Sequence, residues 1–148
     1  MGTFNFGAST ESPLSATEPS GRMPLRGEPD IVASRQLVRK LTQQLGFTLV
    51  DQTKMVTAAS ELSRNTVTYG GGGEMGWDVV EQGARRGLRL RFRDEGPGIP
   101  DIAQALTDGW TSGKGMGLGL SGSRRLVHEF DIQSAVGEGT CVSVTRWK

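Results

Sequence analysis

The sequence predicts an α+β fold, a two-layer α/β sandwich with one layer of helices and one of strands. Apolar residues recur every three to four positions over 31–45 and 55–66, the period of amphipathic helices. The run 88–93 alternates apolar and polar residues, as a half-buried strand does, and further strands are expected at 74–82, 131–136 and 140–147. Because these strands come in antiparallel pairs, the expected sheet is mixed but mostly antiparallel, with helices on one face. A doubly wound parallel sheet would need strict strand–helix alternation.

Composition excludes several classes of function. The 148 residues are enough for one domain, and 17 Lys and Arg against 16 Asp and Glu give a net charge of +1. That balance offers no case for a general nucleic-acid or membrane-surface binder. No apolar run is long enough to span a bilayer, and the N-terminus lacks a signal-peptide pattern. The single cysteine, Cys141, excludes an intramolecular disulfide and favours a reducing compartment, so we expect a cytoplasmic protein.

The first half of the chain begins with a polar segment. Residues 1–22 are mostly Ser, Thr, Gly, Pro and Glu, so a disordered tail is expected before a domain over 23–148. A short edge strand is predicted from residue 23. Asp30 is then expected to cap a helix that Gly46 ends.

The remaining elements are marked by caps and glycines. Asp51 is the expected cap of a second helix, which the glycine run 70–73 ends, and a hairpin of two strands follows. Asp101 is expected to cap a short helix over 102–106. The spacing of apolar residues predicts a longer helix over 118–130 before the two closing strands.

Three features carry chemistry. Asp94 ends a strand at a turn rich in Gly and Pro, where its carboxylate can accept hydrogen bonds from a ligand such as an exocyclic amine, or can simply serve the turn. Glu61 and Asn65 lie four residues apart and therefore on one helix face. The glycine-rich stretch 109–119 precedes a helix, where backbone N–H groups can approach a phosphate. Its spacing fits neither a P-loop nor a dinucleotide fingerprint.

Taken in order, these motifs resemble the Bergerat-type ATP-binding fold of the gyrase, Hsp90, histidine kinase and MutL (GHKL) superfamily. The resemblance rests on four segments between about residues 57 and 141, with the sequences ELSRN, DEGPG, GMGLG and GT. From about Asp30 onward the chain is similar to the anti-sigma serine kinases, and most similar to the stressosome switch kinases. The words DIVASRQ, DEGPGIPD and VGEGT carry this closer likeness.

The resemblance implies a Mg·ATP site. Glu61 would orient or deprotonate the attacking hydroxyl, Asn65 would bind Mg²⁺, Asp94 would accept the adenine amine and Thr140 would assist near the base. Lys114 would be available to neutralise phosphate charge. The full set of implied nucleotide-binding residues is Asn65, Asp94, Gly96, Gly98, Ile99, Gly113, Lys114, Gly115, Met116, Gly117, Leu118, Gly119 and Thr140.

The implied activity is that of a serine/threonine protein kinase that phosphorylates a STAS-domain antagonist and, once released, activates a PP2C-type phosphatase or a similar regulator. No nucleic acid or membrane is implied as a partner. The alternatives are an anti-sigma factor that binds nucleotide but acts by sequestration, and a detached histidine-kinase catalytic domain. Glu95 departs from the neutral residue expected after Asp94, and we expect it to face solvent. His128 and the three tryptophans are expected to be structural, although Trp110 could touch a partner.

Overall fold

The computed structural model describes residues 18–107 and 119–148. Nine elements follow one another in this part of the chain, and the two-layer α+β architecture is confirmed. They are β1 (Ser20–Leu25), α1 (Glu28–Gln44), α2 (Leu49–Thr68), β2 (Gly73–Gln82), β3 (Arg85–Asp94), α3 (Ile102–Ala105), α4 (Leu120–Arg125), β4 (Glu129–Ala135) and β5 (Gly139–Trp147). The predicted tail falls largely outside the described residues, but β1 begins at Ser20, within its expected range.

The strands form one five-stranded sheet in the order β1-β2-β3-β5-β4, and all four pairings are antiparallel. The sheet therefore has no parallel pair among the described residues, although a mixed sheet was expected. Its register places Asp94 of β3 opposite Gly73 of β2 on one side and Thr140 of β5 on the other. Ser134 of β4 lies opposite Thr140, so this row crosses four strands at one end of the sheet.

The core lies between the sheet and the helices. Alternate side chains of β3, Leu88, Leu90 and Phe92, are buried, and they pack in one apolar cluster with Met55 and Leu62 of α2. The intervening arginines of β3 lie on the opposite face of the sheet, as the alternation predicts. No helix among the described residues is long and apolar enough to cross a membrane.

Both predicted N-caps of the long helices are wrong. Helix α1 begins two residues before Asp30, with Pro29 in its first turn, because Asp30 accepts hydrogen bonds from the backbone and side chain of Arg26. Helix α2 is capped by Thr48, whose hydroxyl accepts the N–H of Asp51 at 3.2 Å. The carboxylate of Asp51 instead pairs with the guanidinium of Arg146, which is 95 positions away in the chain and so is not part of any local sequence pattern.

The other caps follow the predictions. Gly46 ends α1 with a φ of +82°, which favours glycine. Asp101 caps α3 by accepting the N–H of Gln104 at 3.0 Å.

The predicted helix over 118–130 is too long. Helix α4 ends at Arg125, and Phe130 lies in β4 opposite Val144. The guanidinium of Arg146 donates to the carbonyl oxygen of Leu126 at 2.9 Å and to Asp51 at 2.6 Å. This pairing fixes the end of α4 over the sheet, and the chain then continues as a strand. Phe130, whose spacing contributes to the helix prediction, therefore lies in a strand instead.

Candidate functional site

One cleft brings several of the predicted site residues together. It lies between α2 and the end of the sheet where β3 and β5 meet, and its walls include Leu62, Phe92 and Val142. Five residues predicted from the sequence line it, namely Asn65, Asp94, Gly98, Ile99 and Thr140. Apolar walls with a few polar groups at one end are typical of a site for a small ligand.

Asp94 is the charged group of this cleft. One carboxylate oxygen, Oδ1, accepts the N–H of Gly96 at 2.9 Å, which closes the turn after β3. Burial raises the pKa of Asp94 above its ordinary value, while the backbone N–H groups of Gly96 and Thr140 oppose that rise. The carboxylate thus serves the turn and still presents acceptor capacity to the cleft.

Gly70 makes room for Asp94. A Cβ at Gly70 would overlap the Asp94 side chain and lie 2.6 Å from Oδ2, and a Cβ at Gly96 would lie 2.7 Å from the Cα of Gly70. The end of α2 and the turn after β3 therefore touch through two residues that lack side chains. Sequence reasoning missed Gly70, because the four-glycine run was read only as a helix stop.

The turn continues against the end of β4. Gly98 has a φ of +77°, and a Cβ there would overlap the carbonyl of Ala135. The N–H of Ile99 donates to the hydroxyl of Ser134 at 2.8 Å, and the N–H of Gly137 donates to the carbonyl of Pro97 at 2.9 Å. These contacts fix one wall of the cleft and explain why glycine is needed at position 98.

Ser134 is the second site residue that sequence reasoning missed. Its hydroxyl also lies 2.8 Å from the hydroxyl of Thr140 and donates to the carbonyl of Gly139 at 3.0 Å. Ser134 is a serine in a strand, and only its register opposite Thr140 brings it into the site. No local sequence signal distinguishes it.

Glu61 and Asn65 lie on consecutive turns of α2, on the side facing the start of α4. Asn65 lines the cleft, whereas Glu61 is exposed at its border. A Cβ at Gly119 would lie 2.7 Å from Oε2 of Glu61, and Gly119 has a φ of +63°. The carboxylate of Glu61 therefore lies beside the first residue before α4, where the predicted glycine-rich loop ends.

The rest of that loop falls outside the described residues. This applies to Gly113, Lys114, Gly115, Met116, Gly117 and Leu118, whose predicted roles remain predictions. Among residues 18–107 and 119–148, no group of three or more His, Cys, Asp or Glu side chains could hold a metal ion. Any metal at this cleft would need ligands of another kind beside Asn65.

His128 and two of the tryptophans serve the fold. The Nδ1 of His128 accepts the backbone N–H of Trp147 at 2.9 Å, and burial lowers the pKa of the imidazole. Trp147 is buried, and Arg85 lies 4.6 Å from the centre of its ring. Trp77 packs against the core and donates to the carbonyl of Glu18 at 3.0 Å. Trp110 falls outside the described residues, and Glu95 is exposed.

Comparisons with known proteins agree with this geometry. Residues 50–148 match the family of histidine kinase-, DNA gyrase B- and HSP90-like ATPases. The chain belongs to this family. It is also 45% identical over 118 residues to the serine/threonine-protein kinase RsbT of Bacillus subtilis (strain 168), and the match covers 80% of this chain and 89% of that protein. Within the ATPase family, the chain therefore belongs with the RsbT-type kinases.

Two further relatives are more distant. The anti-sigma F factor of Thermoanaerobacter sp. (strain X514) is 25% identical over 118 residues, covering 77% of this chain and 82% of that protein. A crystal structure of the RsbU and RsbW domains of Rv1364c from Mycobacterium tuberculosis superposes with a TM-score of 0.60 at 19% identity. That match covers 90% of this chain but only 34% of the other, and it supports the fold. The predicted superfamily and its kinase branch are confirmed.

Proposed function

We propose that this protein is a Mg·ATP-dependent serine/threonine protein kinase of a partner-switching circuit, with a STAS-domain antagonist as its substrate. The observation that carries the proposal is the convergence of Asp94, Thr140 and Asn65 on one cleft, with Glu61 one helical turn from Asn65. The 45% identity to RsbT supports the reaction class. Release from the antagonist would leave the kinase free to activate a PP2C-type phosphatase or a similar regulator.

The cleft fits an adenine nucleotide. The carboxylate of Asp94 and the hydroxyl of Thr140 supply acceptors at one end, and Phe92, Ile99 and Val142 supply apolar walls for a flat ring. Asp94 would hold the exocyclic amine of the base, and Gly98 would let the turn approach the ring. The proposed phosphate-binding residues run from Gly113 to Gly119.

The donor set also fits Mg²⁺. Asn65 offers an amide oxygen at the cleft wall, and Mg²⁺ commonly takes one or two protein ligands and completes its shell with phosphate oxygens and water. When bound, Mg·ATP would supply the phosphoryl group and the charge neutralisation that its transfer needs. The chain's own contribution is to position the reactants and, through Glu61, to accept the proton of the attacking hydroxyl.

The first test is thermal unfolding with and without Mg·ADP. Ligand at a hundred times its dissociation constant should stabilise the wild type by about 2.7 kcal/mol, and Asp94→Asn should lose that response. The substitution preserves shape and an acceptor for the N–H of Gly96, but it replaces the other carboxylate oxygen by an NH2 donor, so its effect reports the acceptor that Asp94 presents to the cleft. No shift of the wild type at millimolar nucleotide would refute the nucleotide site.

The second test measures phosphate transfer to a purified STAS-domain protein. Glu61→Gln should reduce the rate by about a hundredfold or more while nucleotide affinity stays nearly constant. Glu81→Gln, on β2 and paired with Arg86 at 3.6 Å, is the matched control. Unchanged transfer by Glu61→Gln would exclude the proposed base. An acid-labile product would favour phosphorylation of histidine instead.

The anti-sigma F relatives favour one alternative function. A nucleotide-binding anti-sigma factor would capture a sigma factor directly, and Glu61→Gln would leave that capture intact. Pull-down with purified sigma factor separates the two functions. The free thiol of Cys141 supports the cytoplasm as the proposed compartment.

A further inference from the structure

Ser134 joins three parts of the candidate site through one hydroxyl group. Its Oγ lies 2.8 Å from the N–H nitrogen of Ile99, 3.0 Å from the carbonyl oxygen of Gly139 and 2.8 Å from Oγ1 of Thr140. These partners belong to the turn after β3, to the start of β5 and to the polar end of the cleft. The strand pairing of β4 with β5 uses backbone groups and does not require the side chain of Ser134.

Counting hydrogens fixes the direction of each bond. A serine hydroxyl has one hydrogen to donate and can accept two hydrogen bonds. The N–H of Ile99 can only donate to it, and the carbonyl of Gly139 can only accept from it. The single hydrogen of Ser134 therefore goes to Gly139, and all three contacts are satisfied when Thr140 donates its own hydroxyl hydrogen to Ser134.

This arrangement decides what Thr140 presents to the cleft. With its hydrogen directed at Ser134, Oγ1 of Thr140 offers lone pairs. Asp94 lies opposite Thr140 in the register and also offers acceptor oxygens. The polar end of the cleft then accepts hydrogen bonds and offers no side-chain donor from these two residues.

We infer that Ser134 is a positioning residue that sets the hydroxyl of Thr140 as an acceptor, and that it thereby makes the site select purines with a 6-amino group over purines with a 6-oxo group. The inference rests on the proposed nucleotide-binding function. An amino group supplies hydrogens to the acceptors of Asp94 and Thr140. A 6-oxo group brings a third acceptor to the same place, so its oxygen faces the acceptors of Asp94 and Thr140 and finds no donor from either.

Removal of the Ser134 hydroxyl should weaken the selection. In Ser134→Ala the N–H of Ile99 loses its partner, and Thr140 is free to turn its hydrogen into the cleft. Affinity for Mg·ADP should fall about tenfold, the range expected for one lost hydrogen bond. Affinity for Mg·IDP should stay within about twofold, because Thr140 can then donate to the 6-oxo group. The ratio of the two affinities therefore falls about tenfold.

The experiment is calorimetric titration of Mg·ADP and Mg·IDP into the wild type and five variants. Ser134→Thr retains the hydroxyl and should restore the wild-type ratio. Ser143→Ala is the matched control, since Ser143 lies on the other face of the sheet beside Arg91. Thr140→Val removes the group through which Ser134 acts, so adding Ser134→Ala to it should leave the ratio unchanged. An equal loss of both nucleotides in Ser134→Ala would overturn the inference.

A measurement without nucleotide separates this inference from the proposed function. If the wild type bound neither nucleotide, the proposed function would fail, and hydrogen exchange at the amide of Ile99 would still test the role of Ser134. Exchange there should accelerate about tenfold in Ser134→Ala and stay constant in Ser143→Ala. If Ser134→Ala failed to fold, Ser134→Cys, which keeps the shape with a weaker donor, would replace it. Unchanged exchange in Ser134→Ala, or in Ser134→Cys where that variant replaces it, would overturn the positioning role.

Discussion

The most direct test of how the site is positioned is Gly70→Ala, which displaces the side chain of Asp94 but leaves its carboxyl group unchanged. The φ of Gly70 lies outside the left-handed region, so an alanine suits the backbone there. The added Cβ would overlap the side chain of Asp94 and lie 2.6 Å from its Oδ2. It would also overlap the Cβ of Asp94, which side-chain rotation cannot move, so the end of α2 or the end of β3 must shift and the carboxylate turns away from its present position.

The magnitude follows from the bond that breaks. A turned Asp94 loses the 2.9 Å hydrogen bond from the N–H of Gly96, and a hydrogen bond to a charged group contributes about 1.5–3 kcal/mol. We expect the free energy of unfolding to fall by about that amount. For a domain of this size the midpoint should then fall by roughly 5–10 °C. The stabilisation by Mg·ADP should fall with it, because the displaced carboxylate no longer meets the base.

Thermal unfolding with and without Mg·ADP is the assay, and Gly76→Ala is the control. Gly76 is also a glycine of the sheet region, but the nearest atom to its added Cβ is a carbonyl oxygen 3.7 Å away, an ordinary contact. That variant should match the wild type in both conditions. If Gly70→Ala kept the full response to Mg·ADP, the position of Asp94 over Gly70 would not matter for binding, and the reasoning would be refuted.

Three further results are expected. Because burial raises the pKa of Asp94, Mg·ADP affinity should decline as pH falls through that raised pKa, and titrations of the wild type across acidic pH measure the decline; an affinity that stays constant there would contradict the role of the carboxylate. The same shift acts on the ligand-free protein. The stability that Asp94 contributes is present below its unfolded pKa and is lost as pH rises through its folded pKa. Asp51→Asn should lower the free energy of unfolding at neutral pH by about 1–2 kcal/mol, because it breaks the charged hydrogen bond with Arg146. Arg146 holds the pKa of Asp51 below its ordinary value, so the greater stability of the wild type should vanish as pH falls through that lowered pKa. Equal urea midpoints of the two proteins at neutral pH would contradict this. Gly119→Ala adds a Cβ 2.7 Å from Oε2 of Glu61, so it should displace Glu61 and slow phosphate transfer by at least about tenfold, and an unchanged transfer rate would argue against a positioning effect.

Local periodicity and the limits on backbone conformation made part of this fold predictable from the amino-acid sequence. The alternation over 88–93 places Leu88, Leu90 and Phe92 in the core and the arginines outside, because strand side chains point to opposite faces in turn. The glycines at 46 and 98 mark backbone with positive φ, which other residues rarely adopt. Asp94, at a strand end before such a turn, was therefore predictable as a candidate site residue.

The helix boundaries were harder to predict from the sequence, because several side chains near a helix start can cap it and only some of them do so in the fold. Asp30 and Asp51 are both suitable caps, yet each binds an arginine, and Thr48 takes the cap of α2. The pairing of Asp51 with Arg146 spans 95 positions of the chain, and no window of sequence contains both partners. Arg146 also donates to the carbonyl oxygen of Leu126 at the end of α4, and that helix is shorter than its spacing predicts.

The residues that support the site became visible only when the fold was known. Gly70 and Ser134 act through what the fold brings beside them: a carboxylate from β3 in one case, and a turn and a threonine from β5 in the other. The physical reason is that sheet register is a long-range property. It places Asp94, Thr140 and Ser134 in one row across three strands, although α3, α4 and a hairpin turn separate these residues in the chain.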